Sequence, residues 1–103
     1  MEMINLVDIL NDDRLYDISD FFKVLGDSSR LKILLALNNN EMTVSDLANK
    51  VNMSISAVSH QLKILKTNKI VKHKKVGKNI YYLHDDEHIT DIIKLTCEHL
   101  SER

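Results

Sequence analysis

The strongest constraint on this fold is an absence: no proline occurs anywhere in 103 residues, and glycine occurs only at Gly26 and Gly77. A chain with so few turn formers cannot supply the many tight connections of an all-β sandwich or barrel, so it favours helices. Apolar residues recur at helical spacing through most of it. Met3, Leu6, Val7 and Leu10 make a first stripe; Leu15, Ile18, Phe22 and Leu25 make a second, ending at Gly26 as a helix C-cap. Asp27 or Ser28 can cap a further helix with Leu31, Ile33, Leu34 and Leu37 as its core face, broken by Asn38-Asn39-Asn40.

A short helix then spans about 43–51, with Thr43 and Asp46 spaced as in a capping box and Val44, Leu47, Ala48 and Val51 facing inward. Asn52 tolerates the left-handed conformation that a sharp turn demands. Ser54 caps a helix reaching about Thr67, buried through Val58, Leu62 and Leu65. Two short helices across a tight turn, over about 43–67, read as a helix-turn-helix. Beyond Asn68 the period becomes that of strands. Ile70-Val71 and Ile80-Tyr81-Tyr82-Leu83 flank Lys74-Lys75-Val76-Gly77-Lys78-Asn79, so a hairpin wing over about 70–83 is expected, with Gly77 in its turn. One last helix covers about 86–102. The expectation is a single domain over 1–103, mainly α with a small β-hairpin, a winged helix-turn-helix.

Net charge is −1, but its distribution is uneven. Residues 1–47 carry nine acids and four bases, residues 48–84 carry eight lysines and no acid, and residues 85–103 carry six acids and two bases. An acid-free basic block of that length is the footprint of a surface facing phosphates. With Val58 turned to the core, Ser56, Ser59, His60, Lys63 and Thr67 fall on the outer side of their helix. Short polar side chains that approach base edges, with cations for phosphates, are what a recognition helix needs. Lys72, Lys74, Lys75 and Lys78 put further cations on the wing, so Ser54, Ser56, Ser59, His60, Lys63, Lys74, Lys75 and Lys78 are the candidate DNA-binding residues. An ordinary solvated helix face is the plain alternative for the helix taken alone.

Nothing in the sequence is long and apolar enough to span a membrane, and the acidic start MEMINLVDILNDD lacks the basic opening of a secretory signal. Cys97 is the only cysteine and cannot form an internal disulfide, which suits a reducing cytoplasm.

Two segments carry a family likeness. Phe22-Lys23-Val24-Leu25-Gly26-Asp27-Ser28-Ser29-Arg30-Leu31-Lys32-Ile33-Leu34 resembles the signature segment of the ArsR/SmtB metal-sensing repressors, and Ser56-Ala57-Val58-Ser59-His60-Gln61-Leu62-Lys63-Ile64-Leu65-Lys66 is similar to that family's recognition helix. The resemblance spans roughly residues 18–102. It implies a homodimer of five helices, with the hairpin between the fourth and fifth, that binds a palindromic operator and releases it when metal binds. It also implies that Ser56, Ser59 and His60 meet bases or backbone.

The last helix holds a candidate metal set, Asp86, His88, His99 and Glu102. Eleven residues at about 100° each bring His88 and His99 to one face but about 16 Å apart, too far to share an ion whose ligands stand about 2 Å away. An antiparallel copy solves the problem. The pairs His88/His99 and Asp86/Glu102 share nearly the same midpoint, so Asp86 and His88 of one chain would meet His99 and Glu102 of the other, in two symmetry-related sites. Two imidazoles and two carboxylates suit Zn2+, with Co2+ or Ni2+ as alternatives. The resemblance supports the same set, because the family's C-terminal-helix site carries Asp, His, His and Glu (or a third His). His88, Ile92, Leu95, His99 and Glu102 also step like a helix–helix seam, while Ile89, Ile93, Cys97 and Leu100 line a side suited to the chain's own core.

Asp85, Glu87 and Glu98 read as solvated acids, His73 and His84 as structural or solvent-facing, and Cys97 as a small core hydrophobe. Some members of the family bind soft metals through a Cys-x-Cys pair on the first motif helix; here that place reads Thr43-Val44-Ser45, so no thiolate site is expected. The expected function is a zinc-released transcriptional repressor. Two alternatives stay open: the same repressor fold answering a non-metal signal, and a metal-binding or interaction module with no DNA role. No nucleophile–base pair, phosphate-cradling glycine loop or open catalytic metal site points to an enzyme.

Overall fold

The structure, a computed structural model, describes residues 4–102. A 3-10 helix η1 (Leu6–Asn11) leads into α1 (Arg14–Leu25), α2 (Ser28–Ala36), α3 (Val44–Val51) and α4 (Ile55–Thr67). Strands β1 (Val71–Val76) and β2 (Asn79–His84) follow, and α5 (Glu87–Ser101) closes the order of a winged helix-turn-helix.

Side-chain caps set most helix starts. Asp27 accepts the Arg30 N–H at 3.1 Å, Thr43 accepts that of Asp46 at 3.2 Å, and Ser54 accepts that of Ala57 at 3.1 Å. Each satisfies an amide that has no partner inside its helix, a contribution of about 1 kcal/mol. Between α3 and α4, Asn52 takes φ 56° and ψ 50°, the left-handed turn residue expected there. Gly26 caps α1 at φ −75°, an ordinary helical value, so its role there does not draw on glycine's conformational freedom.

The core joins α2 (Ile33, Leu34), α3 (Leu47, Ala48), α4 (Val58, Leu62, Leu65) and the wing root (Ile70, Val71), with Leu25, Leu37, Ile89 and Ile93 completing it. Burying each of the larger aliphatic side chains contributes about 1.5–3 kcal/mol, which fixes the helix-turn-helix against α2. The hairpin is antiparallel, with Val71 opposite His84 and Val76 opposite Asn79. Its root is clipped to the connection before α3, where Met42 and Tyr82 exchange backbone bonds of 3.1 and 2.8 Å. The wing is thus held at its base and free at its tip.

Several expectations need correction. In the wing the strands run further toward the turn than the β-favouring runs Ile70-Val71 and Ile80–Leu83: Lys74, Lys75 and Val76 lie in β1 and Asn79 in β2, leaving Gly77-Lys78 as the turn. Gly77, at φ +63°, occupies the first turn position, where a tight hairpin favours glycine. The described part of the N-terminal stripe is left exposed. Met3 lies outside the described residues; Leu6, Val7 and Leu10 are exposed, while Ile9, absent from that stripe, is buried. Of Leu15, Ile18, Phe22 and Leu25 only Leu25 is buried; the other three are left exposed by the described residues. Val44, Val51 and Leu31 are half-buried rather than fully enclosed. Cys97 and Leu100 are exposed, contrary to their assignment to the core: the residues that α5 buries are Ile89 and Ile93.

Candidate DNA-binding face and metal constellation

The outer side of α4 matches the sequence expectation: Ser56, Ser59, His60, Lys63 and Thr67 are all exposed. Ser54 is exposed as well, with its hydroxyl oxygen already accepting the Ala57 N–H as the cap. What fixes the pose of this helix is a bond that sequence reasoning overlooked. Arg30 on α2 donates from Nε to Gln61 Oε1 at 2.9 Å and from a terminal nitrogen to the Val24 carbonyl at 3.4 Å, tying α4 to the end of α1. Both residues lie inside the two segments that carry the family likeness, which was the available signal.

On the wing Lys72, Lys75 and Lys78 are exposed. Lys74 is paired with Glu41, a carboxylate from before α3. The acid-free block is thus met by an acid from outside it, a contact that partitioning charge along the chain cannot reveal. His73 is exposed and lies edge-on to Tyr82, ring centres 5.6 Å apart.

His84, by contrast, is buried and works as a structural link. Its Nε2 lies 2.8 Å from the Leu34 carbonyl, which can only accept, so that nitrogen carries the proton and Nδ1 accepts from the Thr90 hydroxyl at 2.8 Å. Burial lowers its pKa; the Leu34 bond opposes this without cancelling it. Through this ring the end of β2 and the first turns of α5 are tied to α2.

Asp86, two residues on, is the N-cap of α5 and accepts the N–H groups of His88 at 2.9 Å and Ile89 at 3.3 Å. Its second oxygen stands 3.4 Å from His88 Nδ1. Desolvation at the cap pushes the carboxyl upward, but the His88 ring and the two amides together outweigh it and hold the pKa below the ordinary value. The fold therefore brings Asp86 and His88 together, with the His88 side chain 87% exposed. It does not bring His99 or Glu102 to them; both stand exposed at the far end of α5. Among the described residues of one chain, no three His, Cys, Asp or Glu side chains are placed to hold a metal ion. Glu87 and Glu98 are exposed, Glu98 4.0 Å from Lys94, whereas Asp85 is half-buried.

Between α1, α2 and α5 runs an apolar groove of about 370 Å³, lined by Phe22, Leu35, Ile92, Cys97 and Leu100 among others. Leu95 is exposed farther along α5.

A helix-turn-helix with a polar, cationic second helix, followed by a lysine-bearing hairpin, defines the winged helix-turn-helix class of regulators. The profile described as "Bacterial regulatory protein, arsR family" matches residues 27–73. The transcriptional repressor SmtB homolog of Synechocystis sp. is 39% identical over 95 residues, covering 92% of this chain and 72% of that one. The cadmium resistance transcriptional regulatory protein CadC homolog of Staphylococcus aureus is 38% identical over 87 residues, covering 84% and 72%. Among solved structures, the transcriptional regulator HlyU from Vibrio vulnificus CMCP6 superposes with a TM-score of 0.78 at 29% identity, covering 92% of this chain and 97% of that one. The chain belongs to the ArsR family of bacterial transcriptional regulators, a DNA-binding family whose members are not enzymes.

Proposed function

We propose that this chain is a metal-responsive repressor: a homodimer that binds palindromic operator DNA through α4 and the wing and is released by zinc, or cobalt, held between its two α5 helices. Asp86 and His88 of one chain and His99 and Glu102 of the partner subunit form each of two equivalent sites. The observation that carries this reading is the half-finished site at the start of α5. A helix cap holds Asp86 beside an exposed His88, while the complementary His99 and Glu102 stand exposed on a helix end that the described residues do not cover.

A second copy accounts for the rest of that surface. The exposed apolar faces of α1 and α5 and the groove between them would be covered by an isologous partner, in line with the antiparallel pairing that joins the two half-sites. Two neutral imidazoles and two carboxylates supply a closed four-ligand set for Zn2+, which contributes charge and a cross-link between subunits rather than chemistry. The relatives named for SmtB and for cadmium resistance support metal response in general. A thiolate site does not fit this chain, since its only cysteine is Cys97.

On the DNA side, Ser56, Ser59 and His60 are proposed to meet bases or nearby backbone, and Lys63, Lys74, Lys75 and Lys78 to hold phosphates. Ser54 fixes the start of the reading helix. The test is operator affinity with and without zinc: a coupling of about 1–3 kcal/mol weakens binding roughly 5- to 150-fold. Equal affinities would remove metal sensing while leaving the DNA-binding assignment intact.

A further inference from the structure

Exposed apolar side chains among the described residues divide by location. Most belong to η1, to α1, or to the surface shared with α2 and α5 that a second copy would cover. Ile4 precedes η1, and three lie in the basic block: Val76 and Ile80 near the wing tip, and Ile55, which is 57% exposed. Ile55 is the first residue of α4, directly after the Ser54 cap. On the DNA-binding reading, on which this inference rests, that end of the helix enters the groove.

Nothing in the fold requires an isoleucine there. The core takes Val58, Leu62 and Leu65 from α4, and the preceding Met53 packs against it, but Ile55 does not. A β-branched residue is also a poorer helix former than the straight-chain alternatives. Its surroundings are polar and cationic. Ser56 adjoins it, Ser59 lies one turn along on the same side, and His60 and Lys63 follow, all exposed. Residues 48–84 contain no acid. A branched alkyl group on a helix face built for a polyanion gains only if the polyanion presents something apolar. In the major groove of duplex DNA that group is the thymine C5-methyl.

We propose that Ile55 is a specificity-determining residue that packs on a thymine methyl at one position in each operator half-site. Burying a methyl-sized group corresponds to about a fourfold affinity change per half-site, and about 15-fold for the symmetric pair.

Uracil tests this cleanly, because it keeps the base pair and removes only the methyl. A duplex recovered by selecting random-sequence DNA on the full chain is remade with symmetric thymine-to-uracil pairs, one pair at a time. The expected result is one pair that weakens the wild-type chain about 15-fold and leaves Ile55→Ala unaffected, with other pairs tolerated equally by both. Ile55→Gln, a second variant at the same exposed position, should lose the same preference. If no pair separates wild type from these variants, or the selected half-site has no thymine at a sensitive position, the inference is overturned and DNA binding stands. If the chain selects no duplex at all, both fall together.

Discussion

Asp86 has two separable jobs on this account, and two substitutions pull them apart. Its carboxylate accepts the His88 and Ile89 N–H groups at 2.9 and 3.3 Å, so it caps α5; it is also a proposed zinc ligand beside His88. Asparagine caps a helix about as well as aspartate, whereas alanine forfeits about 0.5–2 kcal/mol. Removing the negative charge from the helix N-terminus costs about 0.3–1 kcal/mol in either variant. In chelator, Asp86→Asn should therefore lose about 0.5 kcal/mol and Asp86→Ala about 1.5–2 kcal/mol. For a chain of this size the gap between them corresponds to a melting-temperature difference of roughly 4–8 °C. Protein concentration must be held constant, since a dimer's apparent stability depends on it. Zinc titration by calorimetry should then show both variants losing affinity, because a neutral amide is a weak replacement for a carboxylate on Zn2+. If Asp86→Asn destabilises as much as Asp86→Ala, the capping argument is wrong. If Asp86→Asn binds zinc as tightly as wild type, the ligand assignment is wrong.

Other elements make independent predictions. Asn52 holds φ 56°, so Asn52→Ala should cost about 1–2 kcal/mol in urea denaturation while Asn52→Gly costs little; equal losses would mean that backbone conformation is not what the position selects. Burial lowers the pKa of His84 below the 6.5 it recovers on unfolding, so its stabilisation is complete above that value and is lost as pH falls toward the folded pKa. The metal-free chain should thus melt lower at about pH 5.5 than at about pH 7.5, and His84→Leu should flatten that slope while orphaning the Leu34 carbonyl at about 1–3 kcal/mol. An unchanged slope in the variant would acquit His84. Glu41→Gln should free Lys74 for phosphate, tightening operator binding at low salt and steepening the log–log salt slope by about 0.9 per chain; an unaltered slope would mean Lys74 stays off the DNA.

What the sequence could reveal depended on whether the cause lay near in the chain. Caps at Asp27, Thr43 and Ser54, the left-handed Asn52 and the buried face of α4 are local matters, and all were legible. The left-handed residue after α4 was not. It is Lys69, at φ 58°, a residue type that gives no hint of it, placed where the chain doubles back so that the Ile70 N–H reaches the Leu65 carbonyl. Contacts distant in sequence were hidden for the same reason: Arg30 to Gln61, Glu41 to Lys74, and His84 to Leu34. Cys97 and Leu100 misled in a different way. An apolar side of a helix says that something covers it, not that the same chain does. For the metal set, periodicity was enough to show that His88 and His99 share a face too far apart to close on one ion, and the fold adds the cap that seats Asp86 beside His88.

The claim that the metal site is shared between subunits has a direct test in mixed dimers. His88→Ala and His99→Ala chains are prepared separately, each expected to lose tight zinc binding, then unfolded together, refolded and titrated with zinc. In a mixed dimer one site carries both lesions and the other carries none, so one intact site per mixed dimer should return, along with zinc-dependent loss of operator affinity. If mixing restores no zinc binding although mixed dimers have formed, the four ligands do not come from two chains, and the account of this repressor's sensor is wrong.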